Sequence, residues 1–270
     1  MTDQLIKDFT EYIDAETVSY HSLTDYAKRP CSVFLKEISS IEKTITYCKK
    51  NLPKSTKAKP TYSDQALSTL TIAALGILMG QFELYQRFTF SSTFELSRYM
   101  PKFDLDRCIK SLQKESNLQL DICHLSAYRG QPAPIGQLIA DNLSGWHMPR
   151  KVNFHMKAIL NNLDFYSTVD IEALRVLWQL RHTMVHTGGW LTLPDAQKIP
   201  ELSKHGDKAI FFYDGFTEAV VRRFHVIAAR STERLSKALN DNLSADVLAS
   251  KEFKDLVNIS SPKRSWIPRV

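Results

Sequence analysis

Two histidines one helical turn apart, with an arginine just ahead of them, mark the segment TVDIEALRVLWQLRHTMVHTGGWLT, residues 168–192. At about 100° per residue, His182 and His186 share a stripe with Arg175 and Gln179. A neighbouring arc collects Leu174, Leu177, Trp178, Leu180, Met184 and Val185, with Arg181 in its middle. Desolvating a guanidinium costs several kcal/mol unless it is paired. Arg181 is therefore expected either to meet a buried carboxylate or to face a cleft that receives an anion. This set suits cutting RNA. The ribose 2′-OH attacks its own phosphodiester if one group takes a proton and another protonates the leaving oxygen, and imidazole does both near neutrality. A guanidinium holds the nonbridging oxygens bidentately and stabilises charge building in the transition state. No metal is then required.

The elements that position these groups read as helices. Leu5, Ile6, Phe9, Tyr12 and Ile13 lie on one side of residues 3–27, and Phe34, Leu35, Ile38, Ile41 and Ile45 repeat that pattern over 32–50. The stretch KKNLPKSTKAKPTYSD, with Pro53 and Pro60, reads as an exposed lysine-rich linker. A long helix is expected over about 63–89, with Gly76 and Gly80 on one side where another backbone can approach closely. Shorter helices follow over 104–117 and 134–144, then 151–166 and 169–187, with NNLDFYST as a soft boundary. The glycine pair Gly188-Gly189 closes the motif helix. After it, Trp190–Leu193 and Ala209–Tyr213 are short, apolar and β-like, and predict a small hairpin or extended excursion. A long helix over 215–240, a short one over 245–257 and a basic tail complete the chain. The division expected is an N-terminal helical element (1–56), a main helical domain (57–258) and the tail (259–270).

Composition sets outer limits. The 270 residues are 43% hydrophobic and 24% charged, a globular balance that excludes wholesale disorder. A net charge of +6 favours an anionic partner without giving it an address. Four scattered cysteines point to reduced thiols and a cytoplasmic setting. Residues 65–82 carry no charge, but Ser68, Thr69, Thr71 and two glutamines make a buried core helix the expected reading rather than a membrane span. Neither a glycine-rich phosphate loop nor a nucleophile elbow is present, which argues against a nucleoside triphosphatase and a serine hydrolase.

Arg181-His182-Thr183-Met184-Val185-His186 matches the R-x(4–6)-H motif of HEPN domains, the all-helical superfamily that includes many prokaryotic toxin and defence ribonucleases, and the chain resembles that family here. A polar residue commonly follows the family's arginine, and the motif often precedes glycine; His182 and Gly188-Gly189 fit both habits. The spacing recurs at Arg150–His155 and Arg175–His182, so context rather than spacing singles out Arg181–His186. Gly80–Phe88 (GQFELYQRF) resembles the earlier family helix that carries a glutamate before an aromatic, which makes Glu83 its counterpart.

The resemblance implies an all-α, HEPN-like bundle with extra N-terminal helices. It implies a metal-independent endoribonuclease without cofactor, in a toxin or phage-defence role. His186 would transfer protons, Arg181 would bind phosphate, and His182 would orient the pair or share the acid–base work. Arg175 would hold RNA backbone, unless it is a solvated helix charge. Glu83 would support the site by holding Arg181 or a helix end. Family members commonly dimerise with facing motifs, so RNA, a second copy of the chain and an antitoxin or defence-system protein are the implied partners, with no membrane.

Two other readings compete. His182 and His186 have the spacing to share a zinc ion, with His147, His155 or His205 as a third ligand, although Thr183 stands where a metalloprotease needs glutamate. A silent module that binds RNA or nucleotide, or only dimerises, uses the same fold. On the long helix near the C-terminus, Arg222, Arg223, Arg230 and Arg234 form either a flank of an RNA cleft or a solvated face shared with Glu218 and Glu233.

Overall fold

A computed structural model of the chain describes residues 23–52, 61–116, 118 and 134–259. It is about 75% helical with two short strands, an all-α fold as expected. The elements are α1 (Leu23–Lys28), α2 (Pro30–Asn51), α3 (Tyr62–Ser97), α4 (Leu105–Ser116), α5 (Ile135–Asn142), α6 (Pro149–Ile159) and α7 (Thr168–His186). Then come β1 (Trp190–Leu191), α8 (Leu193–Gln197), a 3-10 turn (Pro200–His205), β2 (Lys208–Ala209), α9 (Phe216–Asn240), α10 (Ala245–Ala249) and α11 (Lys251–Leu256). Residues 3–22 of the helix expected over 3–27, residues 53–60 of the lysine-rich linker and residues 260–270 of the basic tail lie outside the described residues, while Lys49 and Lys50, expected in the linker, close α2.

Helix α3 is the axis of the bundle. Its start is fixed by a capping box: the Thr61 hydroxyl accepts from the Asp64 N–H, and the Asp64 carboxylate accepts from the Thr61 N–H at 2.6 Å. The helix runs to Ser97, a turn or more past the expected end. The hydroxyls of Thr89 and Thr93 bond back to the carbonyls of Tyr85 and Thr89, both at 2.7 Å, so these polar residues are satisfied inside the helix. Phe82 sits at the centre of the core, its ring 4.7 Å from Phe224, 5.5 Å from Phe34, 5.8 Å from Tyr85 and 6.0 Å from Tyr166. These rings come from α2, α3, α9 and the segment before α7, so the described part of the N-terminal stretch shares one core with the rest.

Glycine acts elsewhere than expected. Among the described residues, a Cβ at Gly76 or Gly80 would meet nothing within 4 Å, so no described backbone approaches there. The close approach is at Gly136, where a Cβ would lie 2.5 Å from the Ser91 carbonyl oxygen and α5 lies against α3. Among the described residues, α3 is the one helix long and apolar enough to cross a membrane, and 39% of its most apolar window is buried. Its outward side leaves Leu70 and Ile77 exposed.

Helix α6 ends at Ile159, short of the expected 166. The following connector is wedged into the core instead: Leu163, Phe165 and Tyr166 are buried, and the Asn153 amide clamps Tyr166 by donating to its carbonyl (2.8 Å) and accepting from its N–H (2.7 Å). His155 of α6 is also fully buried, its Nε2 3.1 Å from the Ser144 carbonyl and its ring 4.9 Å from that of Trp146. Burial pushes its imidazole down to about 4, Lys151 adding to that and the Ser144 carbonyl opposing it. The folded protein thus keeps His155 neutral while the unfolded chain protonates it near pH 6.5. Stability is full above pH 6.5 and falls as pH drops towards 4, with about 3 kcal/mol at stake. Urea unfolding at pH 7 and pH 4.5 checks this: His155→Phe should flatten the slope, and an unchanged slope refutes it.

Candidate functional site

Helix α7 carries every motif residue except Glu83. Ser167 and Asp170 form a capping box at its start, and Asp170, fully buried, also pairs with Arg234 of α9 at 3.2 Å. Arg234 donates as well to the Phe165 carbonyl at 3.1 Å, so it anchors the helix and is not a free member of a basic flank. At the other end the Gly189 N–H reaches back six positions to the Thr183 carbonyl at 3.1 Å, a closure that glycine's positive φ permits. Gly188 and Gly189 have φ of 59° and 89°, and the Trp190 N–H then bonds to the Thr187 carbonyl at 3.1 Å. Positive φ at both central positions is what a tight type I′ turn requires, so β1 turns sharply back from the helix end.

The short strands pair antiparallel, with Trp190 opposite Ala209 and Leu191 opposite Lys208. The excursion expected after the motif is thus a two-stranded hairpin whose connection folds into α8 and the 3-10 turn. Thr192 caps α8 by accepting from the Asp195 N–H, and Leu191, Ala196, Ile199 and Leu202 bury its inner side. The Phe212 N–H bonds to the Ser68 hydroxyl of α3 at 3.3 Å, fastening the excursion to the bundle.

The stripe of polar residues on α7 is present as expected, but its members differ in role. His182 and His186 are both exposed and adjacent, their ring centroids 4.6 Å apart. Arg175 is occupied: it bonds to Glu172 at 2.6 Å and to the Lys198 carbonyl at 3.0 Å. It thus clamps α8 onto α7, a structural role that the sequence reading did not assign to it. Asp195, which the sequence did not single out, lies close enough to His182 to feel its charge. The Lys198 ammonium, 2.6 Å away, chiefly holds the Asp195 carboxyl below the usual range, with Thr192 and His182 adding to the effect against partial burial. The only cue in the sequence was the cap pattern Thr192-x-x-Asp195, which announces a helix start rather than a site.

Arg181 is half-buried, and among the described residues its guanidinium makes no hydrogen bond or ion pair. Among the described residues, then, no buried carboxylate holds it. Glu83 instead binds Arg87 on its own helix through two hydrogen bonds of 3.0 and 2.6 Å, and Arg87 reaches on to Asp141 of α5 at 3.6 Å. Glu83 supports the α3–α5 contact and does not hold Arg181. Val185, placed on the apolar arc by periodicity, is 54% exposed, although its neighbours Thr183 and Met184 are buried.

The helix does not bring Arg181 and His186 onto one spot. Five residues along an α-helix turn the side chain through about 140°, so the two leave the axis towards different sides. Among the described residues no group of three or more His, Cys, Asp or Glu side chains is placed to hold a metal. No family model matches the chain, and no curated protein or solved structure matches it.

Proposed function

We propose that the protein is a metal-independent endoribonuclease of the HEPN type, working in the cytoplasm in a toxin or defence role. The observation that carries the reading is the state of Arg181. Arg87, Arg175 and Arg234 all have carboxylate partners, whereas the half-buried guanidinium of Arg181 has none among the described residues. A cation held in that state, on the same helix end as two exposed histidines, suits a phosphodiester. Arg181 binds the phosphate, His186 transfers the proton, and His182 orients or shares that work beside Asp195. The test is RNA cleavage by the wild type against Arg181→Ala and His186→Ala. Cleavage surviving both substitutions overturns the assignment, and growth toxicity relieved by either supports it.

The angle between Arg181 and His186 bears on assembly. A homodimer with facing motifs lets the arginine of one copy and the histidine of the other converge on one phosphate. Support for pairing comes from the outward side of α3, where Ala66, Leu70, Ala73, Ile77, Gly80 and Leu84 follow alternating four- and three-residue steps. Leu70, Ala73, Ile77 and Gly80 are exposed, and bulky and small residues alternate, so an identical stripe fits against it. Ile77→Glu is expected to convert a dimer to a monomer in sedimentation and to lower cleavage together with it. A wild type that is monomeric and fully active overturns the composite site.

A further inference from the structure

The geometry points to Trp190 as a base-stacking platform that makes single-stranded RNA the substrate; this rests on the ribonuclease reading. Three of the four tryptophans lie in the described residues, and they differ sharply. Trp146 and Trp178 are 1% and 8% exposed, whereas Trp190 is 52% exposed. An indole left in water forfeits a large burial gain, so its position requires another explanation.

Several features hold it there. The Thr187–Trp190 turn, with positive φ at Gly188 and Gly189, brings β1 back beside the end of α7, where His186 is the last helical residue. The Thr187 hydroxyl bonds to the Trp190 carbonyl at 2.6 Å, which fixes the strand's start. Strand alternation then turns Leu191 fully inward and Trp190 outward. The residue opposite Trp190 is Ala209, which has no bulk to cover an indole face. Among the described residues no aromatic ring or cation packs on Trp190. The backbone is therefore fixed while the described residues leave the ring face open, one tight turn from the proton-transfer histidine.

A nucleobase is the ligand that uses such a face. Stacking on an exposed aromatic is available only to an unpaired base, since duplex bases are already stacked and A-form grooves hide their faces. Intramolecular 2′-OH attack makes the same demand, because the sugar and phosphate must rotate into line. Trp190 would grip a base next to the scissile phosphate while Arg181 holds the phosphate itself. Stacking is sequence-tolerant, so this device selects strandedness before sequence.

The probe is a labelled 2′-O-methyl oligoadenylate, which lacks the attacking hydroxyl and is not cut. Trp190→Ala is expected to weaken its binding about tenfold in fluorescence anisotropy, and to raise KM for single-stranded RNA more than it lowers kcat. Trp190→Phe should keep affinity within a fewfold while losing the quench of indole emission that the wild type shows on binding. If Trp190→Ala binds and cuts like the wild type while Arg181→Ala is inactive, the inference falls and the ribonuclease reading stands. If the wild type neither binds nor cuts RNA, that reading fails and takes the inference with it. A Trp190→Ala variant that changes oligomeric state at unchanged RNA affinity assigns the indole to a protein interface and overturns the proposal.

Discussion

Arg181→Ala should slow RNA cleavage by roughly a hundredfold or more while leaving the protein folded. A preorganised donor aimed at charge that develops in the transition state is worth about 10²–10³ in rate. Here the donor is a guanidinium with two parallel N–H groups for the nonbridging oxygens. The fold should survive because no ion pair or hydrogen bond among the described residues depends on Arg181. Arg181→Lys keeps the charge but loses the fork, so it should fall between wild type and alanine. His186→Ala removes a proton-transfer group worth about 10²–10⁴. Rates under single-turnover conditions, with thermal melts as the control for folding, decide the matter. A loss of activity that tracks a loss of melting temperature would make Arg181 a structural residue.

Asp170→Ala is expected to have the largest effect on stability, about 3 kcal/mol or more. The carboxylate is fully buried and accepts from the Ser167 N–H, the Ser167 hydroxyl and Arg234. Losing a helix cap costs about 1 kcal/mol. Leaving Arg234 without its buried partner costs more, although that guanidinium is 33% exposed and recovers some hydration. Asp170→Asn keeps an acceptor for the cap and loses only the charge, so it should cost visibly less. Urea unfolding distinguishes the two variants, and equal losses would show that Asp170 acts through its charge alone. The substitution lies at the opposite end of α7 from the histidines, so activity per folded molecule should change little.

Helix positions were legible because short-range rules set them. Burial repeats every three to four residues, and α2, α4, α7 and α9 start and stop within a few residues of where that period begins and ends. Gly188 with Gly189 announced the end of α7 for a local reason, positive φ. Where packing overruled local signals, the reading slipped. The helix expected to end near 89 runs on to Ser97, with Thr89 and Thr93 satisfied by back-bonding, and the soft boundary NNLDFYST is clamped into the core by Asn153. Gly76 and Gly80 suggested a close approach that occurs at Gly136 instead, because which helix crosses which depends on the whole bundle.

The sequence by itself determined the all-α class, the motif helix and the polar stripe that holds both histidines, since each depends only on residue type and the 100° step of a helix. Tertiary structure decided which charges are free. Arg175, Arg181 and Arg234 are the same chemical group, yet two are engaged by Glu172 and Asp170 while Arg181 alone of the three lacks a partner among the described residues. Pairing depends on where distant carboxylates come to lie, as Asp170 meets Arg234 across 64 positions of sequence. The same holds for Asp195 beside His182 and for the open face of Trp190, both placed by a hairpin whose neighbours the local pattern does not encode.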